Sequence, residues 1–512
     1  MKNNQLAINM IAKIVAFIVN AGTSFFLAPF LIKNVGREAY GFVGLANDFV
    51  NYAQIVTVAL NSMAGRFVTI SLYKNDDKSV NKYFTSVIFA NIIIASVMTI
   101  PSVFIIFFIN RIVNVPYNIL TDIKLLLTFV FLNFLINIIG SVFGIAPFAK
   151  NRLDLESKRI IETNILKAVV LVVLFYVFEP SVWYIGLTSL LCTIYIIITN
   201  IFYTKKLLPQ VNIRKKYFDF NYIKILLSSG IWNSFSKLSS ILATGLNLLI
   251  TNIFIGASAM GILSIAKTVP QMILSVFSML ASIFAPQLTI SYAQNDFDNI
   301  RKQLLLSMKL LGMLACIPMS ILFVYGDVFY KLWVPDQNAL LLQMLSIISC
   351  FELVFALPQE SLWNVFTATN KVKQSSIVLF FTSLLSIIIT MSGIIFAKNA
   401  NQKLFIIAGT STIVAVIRTL TFLPIYGAKC LNFKKTTFYP LIVRNTISVV
   451  IVTLISFFIK NKIIVNTWIR FFIICIITAI IGIFINIILI LEKEERKILK
   501  DIILNLFNFK NA

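Results

Sequence analysis

Long apolar runs, each closed by a short polar and often basic step, recur from one end of the chain to the other. Val87 to Ile109, Ser375 to Ala397 and Phe471 to Leu491 are examples, and each is long enough to cross a bilayer core of about 30 Å as a helix. The pattern predicts about 14 spans, at 6–32, 42–72, 83–109, 117–147, 159–178, 182–204, 222–255, 258–290, 303–325, 339–368, 375–397, 403–428, 437–459 and 468–491. Four of them carry polar stripes. Span seven has Asn233, Lys237, Ser240, Thr244, Asn247 and Thr251; span one has Asn9, Lys13, Asn20 and Ser24. Span two has Asn47, Asn51, Gln54 and Asn61; span eight has Ser264, Lys267, Gln271, Ser275, Ser278 and Ser282. Steps of three and four keep each set on one helical face. A helix facing only lipid has no use for such side chains, so the stripes predict a polar cavity, with packing between helices as the plainer alternative.

Composition agrees with the pattern. Apolar residues make up 59% and charged residues 12%, against about 45–50% and 25% in soluble domains. The expected class is an all-α polytopic membrane protein. "MKNNQLAINM" leads into apolar sequence without a small-residue cleavage site, which reads as a retained first span. Five scattered cysteines form no CxxC pair and histidine is absent, so no metal centre is expected. The net charge of +24 sits mostly in alternate loops, including Lys74, Lys78, Lys150, Arg152, Lys205, Lys206, Arg214, Lys215 and Lys216. That asymmetry is the positive-inside signal: both termini are expected in the cytoplasm, with anionic membrane lipids and not nucleic acid as the partner.

The chain also repeats itself. "TISLYKNDD" begins at Thr69 and "TISYAQNDF" at Thr289, an offset of 220 residues, and "GREAYG" at Gly36 falls on "GASAMG" at Gly256. About 13 of 47 positions agree without a gap. Six spans separate the copies, so both share one orientation. The expected organisation is a lobe over 1–205, a basic linker over 206–221, a second lobe over 222–430, spans 13 and 14 over 431–491, and an amphipathic cytoplasmic tail over 492–512 with Ile498, Ile502, Leu506 and Phe509 on one side.

Charge inside the spans narrows the function. Lys13, Arg66, Lys237 and Lys267 lie on the striped helices and Arg418 lies in span twelve; the acids are Asp48, Glu352 and Glu360. A net cationic cavity suits an anionic substrate, although Lys13 and Lys237 also fit as snorkelling stems near the cytoplasmic end. Costly buried carboxylates make Asp48, Glu352 and Glu360 the candidates for coupling to protons or sodium. No nucleophile–base pair, nucleotide loop or outer loop of domain size is present. A transporter without catalytic residues or cofactors, driven by an ion gradient or the membrane potential, is therefore expected. A glycan polymerase or ligase is the least favoured reading.

"FLAPFLIKNVGREAYGFVGL" at Phe26 to Leu45, "APFAKNRLD" after span four and the span count together resemble the Wzx-type polysaccharide flippases of the multidrug/oligosaccharidyl-lipid/polysaccharide exporter superfamily. The resemblance implies a V-shaped two-lobe transporter with two extra C-terminal helices, moving undecaprenyl-diphosphate-linked repeat units for O-antigen or capsule from the inner to the outer leaflet. It implies a bacterial cytoplasmic membrane and glycan polymerase machinery as a partner; a monomer is expected, because two lobes already make one cavity. The family's cavity cations would map onto Lys13, Arg66, Lys237 and Lys267. A peptidoglycan-precursor flippase and a multidrug exporter of the same superfamily are the alternatives.

Overall fold

A computed structural model describes residues 2–369 and 371–496. Every regular element among them is helical, as lipid demands: with no water to bond the backbone, each segment must satisfy its own amides. Among the described residues twelve helices are long and apolar enough to cross a membrane, or 13 if one bent pair counts as a span. The expectation of 14 counts that pair as one and also divides the first helix. That helix, α1 (Lys2–Tyr73), is 72 residues long and holds a non-helical residue, Gly36, at φ 83° and ψ 160°. At 1.5 Å per residue it would be about 108 Å of rod against a core of about 30 Å, so the chain has to turn inside it. Gly36 supplies the turn, in a region of backbone space that side chains exclude.

The repeat is written into the backbone. Gly256, 220 residues after Gly36, also has positive φ, at 127°. Asn75 and Asn295 are both left-handed at φ 56°. Asp76 caps α2 (Asp77–Ile112) by accepting from the Ser79 amide, and Asp296 caps α11 (Phe297–Trp333) from the Asn299 amide, each at 3.0 Å. Asparagine tolerates the left-handed turn and aspartate satisfies an orphan amide, which is why "ND" stands at both places.

Packing divides the chain into two compact units. The first comprises Met1–Ile265 and Ser376–Ile407; the second comprises Ala266–Ser375 and the chain from Ala408 onward. This is a division by contact, a different property from the order of the repeats. In the first unit, Leu60, Val68, Phe84, Val87 and Leu226 form a fully enclosed core joining the second arm of α1, α2 and α7 (Phe220–Ser240). Lipid tails are as apolar as leucine, so such helices are held by close fit and polar bonds. Gly230 permits that fit: a Cβ there would stand 1.9 Å from the Ala59 carbonyl oxygen. In the second unit the fully buried Tyr325 donates to the Ser456 carbonyl at 3.0 Å and binds α11 to α17 (Tyr439–Lys460).

Four expected spans are not simple rods. Span four is α3 (Leu120–Gly140), a 3-10 turn at Ser141–Gly144 and α4 (Ile145–Ala149). Span ten is α12 (Ala339–Cys350), α13 (Leu353–Gln359) and α14 (Leu362–Ala368), with a 46° bend between the first two. Span seven runs through α7, a π turn at Ile241–Gly245 and α8 (Asn247–Phe254). Span eight is α9 (Ala257–Ser282) followed by α10 (Ala285–Ala293), so the expected 258–290 is interrupted. The remaining spans are α5 (Leu153–Val177), α6 (Trp183–Leu207), α15 (Val372–Phe396), α16 (Ala400–Cys430) and α18 (Trp468–Leu489). Lys309 of α11 is ion-paired with Glu492 at 3.1 Å and Glu495 at 2.8 Å. The apolar side of the tail, Ile498 to Phe509, lies outside the described residues.

Candidate functional site

The polar stripes of spans two and seven meet inside the first unit. Lys237 Nζ donates to Asn51 Oδ1 at 3.1 Å, Asn233 Nδ2 to Ser62 Oγ at 3.1 Å, and Ser234 Oγ to the Ile55 carbonyl at 2.7 Å. Asp48 lies within electrostatic reach of both Lys237 and the Tyr52 hydroxyl. Tyr52 in turn donates to the Gly245 carbonyl at 2.6 Å. That carbonyl belongs to the π turn, where the wider loop leaves backbone groups for outside partners; such turns are frequent at functional sites.

Lys237 stands 17 residues from Phe220 and 17 from Phe254, the ends of the span-seven rod. That is about 26 Å either way at 1.5 Å per residue, so Lys237 stands at the midpoint of the rod. An ammonium at mid-membrane costs about 2.5–3.5 kcal/mol on insertion scales unless it is solvated or paired.

The rod is fastened at both ends. At its start, Lys82 pairs with Asp219 at 2.9 Å, Asn212 N donates to Asn81 Oδ1 and Asn81 Nδ2 to the Gln210 carbonyl, Asp219 N donates to Ser86 Oγ, and Ser79 and Tyr222 share a hydroxyl bond. The Lys82 ammonium and the Asn221 amide hold the Asp219 carboxyl below the usual carboxylate range. At the far end Asn114 and Asn252 bond reciprocally: Asn114 N to Asn252 Oδ1 at 2.7 Å and Asn114 Nδ2 to the Asn252 carbonyl at 2.9 Å.

The expected single stripe on span seven is split. Ser240 and Thr244 are exposed, with Thr244 Oγ1 donating to the Ser240 carbonyl, whereas Asn247 and Thr251 are buried. A π turn holds an extra residue, so the faces before and after it are rotated by about one residue's share of a turn. Of the other stripe residues in this unit, Lys13, Asn20, Asn47 and Arg66 are exposed. Asn61 accepts at Oδ1 from Asn91 Nδ2 at 3.1 Å, and the same amide reaches the Ile138 carbonyl beside the span-four break.

The second unit holds a separate arrangement. Glu352 sits between α12 and α13, where it accepts from Thr419 Oγ1 at 2.7 Å and faces Arg418 Nη2 at 3.6 Å. Arg418, grouped by sequence with the cavity cations, is thus neutralised locally. Glu360 follows α13 and accepts from Ser278 Oγ at 2.7 Å. Lys267 is half-buried and Gln271 exposed. Ser278 lies on the span-eight stripe, whereas Tyr52, Ser62, Asn91 and Thr419 complete these contacts without having stood out as lining residues in the sequence, because each is an ordinary polar residue whose partner lies far along the chain.

Among the described residues no group of three or more histidine, cysteine or acidic side chains is placed to hold a metal ion. Comparison with known proteins follows the same line. The polysaccharide biosynthesis protein family matches residues 10–337. The uncharacterized membrane protein EpsK of Bacillus subtilis strain 168 is 28% identical over 436 residues, 85% of each chain. Among solved structures, the lipid II flippase MurJ in an inward closed conformation has a TM-score of 0.61 at 15% identity, covering 93% of this chain and 97% of that one. An inward-facing MATE family multidrug resistance transporter of the MOP superfamily gives 0.60 at 14% identity, covering 84% and 97%. The fold is therefore shared with these two transporters.

Proposed function

Because this chain belongs to the polysaccharide biosynthesis protein family, we propose that it is a flippase carrying undecaprenyl-diphosphate-linked oligosaccharide repeat units from the cytoplasmic to the outer leaflet of a bacterial cytoplasmic membrane. One observation carries the reading: Lys237 stands at mid-rod and is held by the amide of Asn51. A bilayer core excludes a diphosphate and its sugars, so a carrier needs a cation for the one and hydrogen-bonding side chains for the other. Lys237 serves the diphosphate; Asn51, Asn233 and Ser62 serve hydroxyls; the prenyl tail stays in lipid. Moving one uncompensated negative charge outward gains about 2.3 kcal/mol per 100 mV. Rocking of the repeat lobes, 1–205 and 222–430, completes alternating access.

Of the three coupling candidates, Glu360 fits best. Glu352 is already committed to Arg418 and Thr419, while Glu360 takes one hydroxyl bond among the described residues. E360Q is expected to lose gradient-driven transport that E352Q retains in part; equal, wild-type rates in both would end direct coupling through these groups.

The test is leaflet accessibility in liposomes, with a labelled diphosphate-linked oligosaccharide protected from an external lectin. Transfer by the wild type that Lys237→Ala abolishes and Lys237→Arg partly restores supports the reading. Export of a cationic dye in place of glycan transfer moves the chain to the drug-exporter branch. The likeness to a lipid II flippase over 93% of this chain favours one second reading, a peptidoglycan-precursor cargo. Competition between the two lipid-linked cargoes in the same liposomes separates them.

A further inference from the structure

The chain between spans six and seven is folded onto the first unit and not slung free. The Gln210 carbonyl and the Asn212 amide both bond to Asn81, Val211 packs on the core that holds Val80 and Leu226, and Asp219 is held by Lys82 and Ser86. Between these ties a 3-10 turn, Lys215–Tyr217, packs against α2, and Phe218 meets Phe89 with ring centroids 5.7 Å apart. The ties fix the depth. From the first residue of α2, Asn81 is about 6 Å along the helix, Ser86 about 14 Å and Phe89 about 18 Å, at 1.5 Å per residue. The apolar run of α2 starts at Val87, and the helix of span seven starts at Phe220. Residues 210–218 therefore lie alongside the step from polar to apolar sequence, the level of lipid headgroups.

What this stretch leaves outside is of one sign and amphipathic. Arg214, Lys215 and Lys216 are exposed and make no ion pair among the described residues; Lys216 rests over the Tyr217 ring, 5.1 Å from its centroid. The one carboxylate between residues 205 and 224 is Asp219, already paired with Lys82 at 2.9 Å. By contrast, Arg152 and Arg159 of the same unit are neutralised by Asp154 and Glu162. Flanking the three cations in sequence, Ile213 is 45% exposed, Phe218 41% and Phe220 66%. Cations interleaved with exposed apolar side chains at headgroup depth are the chemistry of an interfacial anchor. Phe218 and Phe220 stand at the edge of the apolar run, where lipid and not a soluble acidic protein meets them.

We propose that residues 213–220 form a binding surface for anionic phospholipid of the cytoplasmic leaflet, the side that the excess of Lys and Arg assigns to this end of the spans. Arg214, Lys215 and Lys216 take headgroup phosphates, and Ile213, Phe218 and Phe220 enter the acyl boundary. This is a localised site, distinct from the general attraction of basic loops to a negative leaflet, and it does not depend on what the chain transports.

The full chain in a non-ionic detergent is titrated with phosphatidylglycerol, and bound lipids are counted by mass spectrometry of the intact complex; phosphatidylcholine and farnesyl diphosphate are the comparison probes. Arg214→Gln, Lys215→Gln and Lys216→Gln together are expected to raise the Kd of the tightest phosphatidylglycerol site by about tenfold or more, with weak phosphatidylcholine binding unaltered. Lys74→Gln, Lys78→Gln and Lys150→Gln remove the same charge from exposed positions in loops that also carry carboxylates, and are expected to leave that Kd unchanged. Equal losses in the two triple variants would reduce the surface to diffuse attraction and overturn the proposal, as would an unchanged Kd in the linker variant. A loss confined to farnesyl diphosphate would assign the cations to the cargo and overturn it as well. Phe218→Trp in nanodiscs is expected to add fluorescence that brominated phospholipid quenches. This milder variant stands in if the triple variant does not fold, and an added signal that stays unquenched overturns the proposal.

Discussion

The two copies of the repeat keep the same backbone and different linings. Gly36 and Gly256 turn with positive φ, Asn75 and Asn295 are left-handed at one angle, and Asp76 and Asp296 cap the next helix through one bond. Between those fixed points the polar positions have diverged: Asn47 faces Lys267 across the offset, Asp48 faces Thr268, Asn51 faces Gln271 and Arg66 faces Pro286. Even the lysine that both copies share has two fates. Lys82 is paired with Asp219, whereas Lys302 is exposed and makes no ion pair among the described residues. Turns and caps are set by stereochemistry, which tolerates few residues. A lining is set by what passes along it, and so can change.

If so, lining substitutions should separate the copies and turn substitutions should not. The largest difference is expected at Asn51, which holds Lys237 by a charge-assisted bond of about 1.5–3 kcal/mol. Asn51→Leu should cut glycan transfer about tenfold or more, and Gln271→Leu much less; equal losses in the liposome assay would show that the copies line the path alike. Next come the turns. Gly36→Ala and Gly256→Ala should each destabilise by about 1–3 kcal/mol, read as matched falls in melting temperature in detergent. A fall in one copy only would mean that the shared backbone is not shared in stability. Cap removal is smaller: Asp76→Ala and Asp296→Ala should each lose about 0.5–2 kcal/mol, and an unequal pair of melting curves counts against the equivalence.

The smallest effect concerns pH. Asp219 is held below the usual carboxylate range by Lys82 and the Asn221 amide. A depressed carboxyl stabilises the fold above its unfolded pKa and loses that contribution as pH falls through the folded value, so the loss belongs below about pH 4. Asp219→Asn should flatten this acid limb of the melting curve while Lys302→Gln leaves it unchanged. The same acid limb in all three proteins would show that the Lys82–Asp219 pair contributes nothing to it.

The sequence discloses the helices and the repeat because both rest on local signals: apolar length in one case, glycine and "ND" in the other. The Asn51–Lys237 contact is half legible, since each residue lies on a stripe but their pairing across 186 residues does not show. The breaks around Glu352 and Glu360 are hidden for a different reason. "SCFELV" itself contains no glycine or proline to mark the 46° bend, and Pro358, which withdraws a helical bond from Val354, stands four residues beyond it. The π turn is silent because an extra residue in a helix leaves hydropathy untouched.

The π turn at Ile241–Gly245 divides span seven into two pieces that answer to different neighbours. Before it, Gly230, Asn233 and Lys237 are set by the second arm of α1; after it, Asn252 is set by Asn114. In an unbroken helix, fixing the azimuth of one end fixes that of the other, about 100° for every residue along the way. One surplus residue in a widened turn resets that relation by about one residue's share of a turn. The rod can therefore be indexed to two surfaces whose spacing no regular helix would match, much as a vernier joins two scales of unequal pitch.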